Sequence, residues 1–351
     1  MSKPIKIGVV GLGRIGMSVH RECLKARPDK YTVVAACDLI EDRRNRYAEE
    51  FGCKTYESYA DMVADPEIEV IDIATRSCDH YIHSKMALLA GKSVLVEKPF
   101  CETAEEAREL IALGSQPGGP KIYVRHNRRF ENGFIKVNEI IDSGILGEVY
   151  EIRLARNSYQ RRNDWQTIME FGGGQLLNWG PHIVDHSIRF CGGAYESVFS
   201  DIKRVAAVGD AEDHIKMVFK GVNGRIVDME ISGGVAISVP AYRVYGTKGS
   251  LVSEGGKKLK LKYLDPDVEL ATITADPSTP GSGSAFGNSE KLVWKEETVE
   301  LDLDGGTDVI WDHFYESIRN GKPYPIAPEQ ALAVVKALED AKIGTIFERR
   351  K

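Results

Sequence analysis

The strongest constraint on folding lies in the first 125 residues, where short continuous runs of β-branched and apolar residues alternate with helical stretches. The runs fall at 5–10, 31–37, 70–74, 93–97 and 121–124, and the helical stretches at 14–26, 41–51, 79–90 and 103–113. A strand that is apolar on both faces suits a parallel sheet covered on both sides, and successive parallel strands require right-handed crossovers. The pattern predicts a doubly wound α/β domain over residues 1–125.

After residue 125 the rhythm changes. A helical stretch at 132–143, Gly147 and an alternating run at 148–155 lead to a second helical stretch at 175–191. Strand-like runs follow at 196–206, 213–219, 225–232, 241–246 and 249–253, with glycine-bearing turns between several of them. This succession predicts an α+β domain over residues 126–351 with a large, open, mostly antiparallel sheet. Helical patterns at 307–319 and 329–347 close the chain, and a C-terminal helix packing back on the first domain is compatible with them. Segment 277–288, PSTPGSGSAFGN, reads as a mobile surface loop.

Composition narrows the functional classes. At 351 residues the chain exceeds what one hydrophobic core usually serves. With 42% hydrophobic and 28% charged residues it is neither disordered nor fibrous. A net charge of -6 gives no global attraction for nucleic acid or anionic lipid. No apolar run approaches the ~18 residues of a membrane span, and the N-terminus passes directly into a strand, so the expected location is cytoplasmic. The six cysteines are scattered without a CxxC pair, which suits buried thiols rather than disulfides or zinc ligands.

Gly11-Leu12-Gly13-Arg14-Ile15-Gly16 follows the first strand and opens a helical stretch, and Asp38 ends the second strand. This is the context a dinucleotide-binding loop requires. Gly11 permits the tight turn, Gly13 lets backbone amides approach a pyrophosphate, and Gly16 lets helix and strand pack closely. Asp38 can accept hydrogen bonds from a ribose diol and would repel a 2′-phosphate, which favours NAD. Arg43 and Arg44 keep NADP open. A purely structural glycine turn is the competing reading.

In open α/β sheets, ligands bind beyond the carboxyl ends of the strands. Glu97 ends the fourth apolar run and Lys98 follows it, so Lys98 is expected in the crevice, where an ammonium can stabilise developing alkoxide character. A solvated strand end is the alternative. Pro99 fixes the turn and is compatible with a cis bond.

GLGRIG, then His80 before ALLAGKSVLVEKPF, then Asn127-Arg128-Arg129-Phe130 before GILGEVYEIR, and finally GGGQLLNWGPHIVD together resemble the Gfo/Idh/MocA oxidoreductase family. The likeness is greatest to its inositol and sugar dehydrogenase branch and covers nearly the whole chain. The resemblance implies an N-terminal Rossmann domain, NAD(P)-dependent oxidation or reduction of a sugar or cyclitol hydroxyl, and homodimers or homotetramers built through the C-terminal sheet. It also brings Thr75, His80 and Glu97 to the cofactor site, with a helix-anchoring role for His80 as the alternative.

Asn178, His182, Asp185, His186 and Arg189 fall on one side of a helix, with Val184, Ile188 and Cys191 opposite, although Gly180-Pro181 can interrupt or begin that helix and leaves Asn178 the least secure member. A stripe merely facing water is the bland reading. The resemblance makes His182 the general base, since imidazole titrates near neutrality. The family's aspartate aligns with Asn178, which supplies only a neutral hydrogen bond. Asp185, one turn on, is then expected to take over part of that function. His182 and His186 at i and i+4 could chelate a metal, but no third ligand is evident, so none is expected.

Substrate contacts are expected from Arg128, Tyr159, Arg161, Trp165 and His182. The arginines of YQRRNDW also suit an acidic sugar or a phosphate. Two rivals stand beside the polyol dehydrogenase: an NAD-retaining enzyme that cleaves glycosides by transient oxidation and elimination, and a non-catalytic nucleotide-sensing regulator, to which Asn178 lends weight.

Overall fold

The computed structural model describes residues 3–265, 267–278 and 290–348. Its first sheet contains β1 (Ile5–Val10), β2 (Tyr31–Cys37), β3 (Lys54–Tyr56), β4 (Val70–Ile73), β5 (Ser93–Val96) and β6 (Ile122–Val124). All pairings are parallel, in the order β3-β2-β1-β4-β5-β6. Between the strands run α1 (Arg21–Lys25), which continues a π-helical turn at Gly16–His20, then α2 (Glu41–Phe51), α3 (Tyr59–Ala64), α4 (His80–Leu89) and α5 (Ala104–Gly114). The continuous apolar strands are buried on both faces, with β4 buried throughout. The short edge strand β3 and α3 had no counterpart in the apolar pattern, because two of the three β3 side chains are exposed.

The second domain opens with α6 (Asn132–Asp142) and β7 (Val149–Asn157), followed by α7 (Gln175–Asn178) and α8 (Gly180–Phe190). The strands β8 (Tyr195–Lys203), β9 (His214–Gly221), β10 (Ile226–Ser232), β11 (Tyr242–Gly246), β12 (Gly249–Glu254), β13 (Lys258–Leu264) and β14 (Trp294–Glu300) follow. They form an eight-stranded sheet in the order β14-β13-β12-β11-β7-β10-β9-β8. Within it β7 and β10 pair parallel and the other neighbours antiparallel.

Three expectations change. The helical stretch over 175–191, in which Gly180-Pro181 marked a place for a break or a start, divides at Trp179, because Pro181 lies in the first turn of α8 and has no N–H to continue the earlier ladder. The last helix, α10 (Pro328–Lys342), ends earlier than 347. Strands β13 and β14 extend the sheet beyond the runs the sequence offered. Most of segment 277–288 lies outside the described residues.

The C-terminal helices return to the first domain. In α9 (Ile310–Asn320), Ile310, Trp311 and Phe314 join the core beneath Ile5, Ile7 and Val9. Helix α10 serves both halves: Ala331 and Val335 pack with Val94 and Val96, while Val334 and Leu338 pack with Val184 and Ile188. This shared helix holds the end of β5 against α7 and α8.

Candidate active site

The glycine loop is shaped by close backbone packing. Gly11 has φ +89°, and a Cβ there would lie 2.6 Å from the backbone of Ala74 and Thr75. A Cβ at Gly16 would lie 2.2 Å from the Gly11 carbonyl oxygen, whereas one at Gly13 would meet nothing within 4 Å. The loop is thus sealed on its protein side and open at Gly13, which fits the approach of a pyrophosphate. Arg14 is exposed and Ile15 half-buried beside it. Asp38 braces the loop: its two oxygens accept from Leu12 N at 2.8 Å and Ile40 N at 2.9 Å. Arg43 lies 3.5 Å from the same carboxylate, and Arg44 donates to the Asp38 carbonyl oxygen. The half-buried Thr75, with its hydroxyl 3.2 Å from His83 Nδ1, follows the end of β4.

Two residues expected at the cofactor site are held by internal hydrogen bonds. His80 is buried, with Nδ1 2.6 Å from the Pro99 carbonyl oxygen and Nε2 3.3 Å from that of Thr75, so it ties two loops together. Glu97 is also buried: Oε1 accepts from Arg125 at 2.5 Å and faces His20 Nε2 at 3.0 Å, while Oε2 accepts from Lys98 N at 3.0 Å. His20 Nδ1 in turn lies 2.7 Å from Asp72. Burial opposes charge on Glu97, yet Arg125 and His20 hold its pKa well below the usual carboxylate range. Sequence reasoning missed this chain, although a histidine after GLGRIG and an aspartate inside an apolar strand were its visible signals.

Lys98 follows β5 and reaches across to the second domain, where Nζ donates to the Asn178 carbonyl oxygen at 3.0 Å and lies 3.5 Å from Oδ1. Gln166 Nε2 also donates to Asn178 Oδ1, so the amide presents its oxygen to the lysine. Burial pulls the Lys98 pKa below the ordinary lysine value, against the opposing pull of Glu97. The Lys98–Pro99 peptide is cis.

On α8 the stripe is buried rather than solvated: His182, Asp185 and His186 are each at most 6% exposed. His182 Nδ1 has no hydrogen-bond partner. Burial, then the charges of Lys98 and Arg128, push the His182 pKa well below that of free imidazole. Asp185 does not orient it, which corrects that expectation. Both Asp185 oxygens accept from Arg129 at 2.7 Å, and despite burial this guanidinium keeps the carboxyl below its usual range. His186 is similarly engaged, with Nε2 2.9 Å from the Arg128 carbonyl oxygen and its ring stacked on Phe134. Among the described residues no group of three or more His, Cys, Asp or Glu side chains could hold a metal ion.

A cleft of about 1210 Å³ opens beside this centre, between the C-terminal end of β7 and Trp179. Arg128 and Arg161 line it, whereas Tyr159, which is 61% exposed, and Trp165 do not. Lys98 and His182 stand one residue back from the cleft: Asn178 adjoins Trp179, and Trp179 packs edge-on to His182 with ring centroids 5.7 Å apart. Trp179 also carries two guanidiniums, Arg128 at 4.6 Å and Arg156 at 3.9 Å from its ring centre. Arg156 was missed because the alternating run was read only to residue 155. It shares the strand parity of the buried Ile152 and Leu154 but is exposed, at the cleft.

A parallel sheet with this loop, facing a lysine–histidine centre on a second sheet domain, defines a dinucleotide-binding protein of two domains. The description "Oxidoreductase family, NAD-binding Rossmann fold" matches residues 5–122, and the GFO/IDH/MocA C-terminal domain matches residues 134–252. The chain belongs to the Gfo/Idh/MocA oxidoreductase family. It is 29% identical over 315 residues to an uncharacterized oxidoreductase of Schizosaccharomyces pombe, covering 86% of this chain and 81% of that one. To the scyllo-inositol 2-dehydrogenase (NADP(+)) of Bacillus subtilis it is 24% identical over 343 residues, covering 96% and 92%. An oxidoreductase from Bacillus cereus shares the fold, with a TM-score of 0.80 at 23% identity over 97% of this chain and 98% of that one.

Proposed function

We propose that the chain is an NAD(P)-dependent dehydrogenase or reductase acting on a hydroxyl or ketone of a sugar, inositol or related polyol. The observation that carries this reading is the contact across the two domains, Lys98 Nζ on Asn178, four residues before the buried His182. The inositol dehydrogenase among its relatives supports the substrate class.

Gly11, Gly13 and Gly16 would hold the pyrophosphate, and Asp38 with Arg43 and Arg44 would face the ribose. When bound, the dinucleotide supplies or accepts a hydride. The chain's own residues do the rest. The Lys98 ammonium hydrogen-bonds the reacting oxygen and stabilises negative charge there. His182 stays neutral near pH 7, the form able to take the hydroxyl proton. Asn178 holds Lys98 by two oxygens without adding a negative charge. The buried contacts of Glu97 fix the backbone from which Lys98 extends.

Homo-oligomers would form through the outer face of the eight-stranded sheet, where Tyr150 and Phe199 are exposed, and light scattering would measure their size. The activity test is absorbance of the reduced cofactor during incubation with NAD or NADP and a polyol panel. Wild type should turn over at least one polyol, and Lys98→Met should lose about 10²–10³-fold in kcat while still binding cofactor. Absence of turnover in both directions across the panel would exclude the reading.

A further inference from the structure

The cleft beside Trp179 is short of negative charge. Arg14 and Arg162 share one carboxylate, Asp164, at 2.6 and 2.8 Å. Arg128 Nη1 takes Glu131 at 2.5 Å and Asp304 at 3.1 Å, and the same Asp304 is the carboxylate that serves Arg156, at 3.6 Å. Arg161 donates to the Ala206 carbonyl oxygen and has no carboxylate partner among the described residues. The centre behind Trp179 adds the Lys98 ammonium, held by an amide rather than a carboxylate, and histidines that burial keeps neutral. This local excess of cations occurs in a chain whose net charge is -6.

Under-neutralised guanidiniums at a cleft wall are a binding site in waiting, since a planar fork pairs well with carboxylate or phosphate oxygens. Trp179 holds Arg128 and Arg156 in place by stacking, so little side-chain entropy is lost when an anion arrives.

We propose that the cleft selects a polyol bearing an anionic group, a carboxylate or a phosphate, bound by Arg156 and Arg161 while Lys98 and His182 address a hydroxyl of the same molecule. The proposal rests on the dehydrogenase reading for its hydroxyl half. Its anion half stands on the arginines alone, and the two can fail separately.

The test uses the full-length protein and matched sets of a neutral sugar or polyol, its carboxylate counterpart and its phosphate ester. Two readouts are followed: cofactor reduction, and quenching of tryptophan fluorescence without turnover, with Trp179→Phe identifying the signal. An anionic member should be preferred in kcat/KM by on the order of 10- to 100-fold, and Arg156→Gln and Arg161→Gln should abolish that preference while the cofactor KM stays unchanged. Whichever anion is preferred names the group. Equal use of neutral and anionic members overturns the proposal, as does an effect of both variants confined to cofactor KM. Anion-dependent quenching of Trp179 with no turnover of any compound supports the anion site and overturns the dehydrogenase reading instead.

Discussion

The glycine loop and the α7–α8 segment, the two halves of the proposed site, are built from opposite materials. At the loop the backbone shapes the site, and side chains are excluded by contacts of 2.2 to 2.6 Å at Gly16 and Gly11. At α7–α8 side chains do the shaping, through buried charges held by specific partners: Asp185 by the Arg129 guanidinium, Lys98 by the neutral Asn178. A backbone site tolerates almost no added atom but needs no charge balance. A side-chain site tolerates changes of shape better than the loss of a partner.

The largest expected effect tests the backbone half. Gly16→Ala places a methyl against the Gly11 carbonyl oxygen and should abolish folding or cofactor binding. Gly13→Ala meets only open space, so it should leave the melting temperature unchanged while weakening cofactor affinity. A calorimetric scan with a binding titration separates the two, and equal melting temperatures would break the contrast.

Next comes the buried pair. Asp185→Ala leaves Arg129 without its bidentate carboxylate and should destabilise the fold by about 3–5 kcal/mol in urea unfolding. A value under 1 kcal/mol would mean that Arg129's other acceptors, Gln330 and the Pro325 carbonyl oxygen, suffice.

Acid should act on the same region. Burial lowers His126 to about 4, and neither of its ring nitrogens has a hydrogen-bond partner. Above pH 6.5 it is neutral in both folded and unfolded chains. Below that the unfolded chain takes the proton first, so stability falls between pH 6.5 and 4 by about 1.4 kcal/mol per pH unit for such a group. His182 and His186 shift in the same direction. His20 opposes them: burial disfavours its charge, but Asp72 and Glu97 raise its pKa on balance, so its contribution is present in acid and lost as pH rises. The net expectation is a lower urea midpoint at pH 5 than at pH 7, with His126→Gln reducing the difference.

The smallest effect belongs to the exposed bridge between the two halves. Arg14→Gln removes the contact with Asp164 and should change stability by less than about 1 kcal/mol, since an exposed pair is screened by water and salt.

Much of the first domain was legible because its signals are local. Each continuous apolar run maps onto a strand whose both faces are covered, and the glycine spacing carries its own backbone requirement. The second sheet was legible where polarity alternates, but Lys258–Leu264, which alternates lysine with leucine, and the charged Trp294–Glu300 were left out. Of the candidate site, Lys98 could be nominated by its place at a strand end, Asn178 and His182 by the motif they resemble, and Arg128 and Arg161 by residue type. Their partners could not, because Asp185 beside His182 in sequence gives no sign that Arg129 claims it.

The sequence by itself determined the strand–helix alternation of the first domain, the change of rhythm after it and the backbone-made loop, since these depend on periodicity and steric rules that act over a few residues. Only the tertiary structure decided which charges meet. Hydrogen bonding and desolvation depend on distances between groups far apart in the chain, as between Lys98 and Asn178 or His20 and Glu97, and no local pattern encodes them.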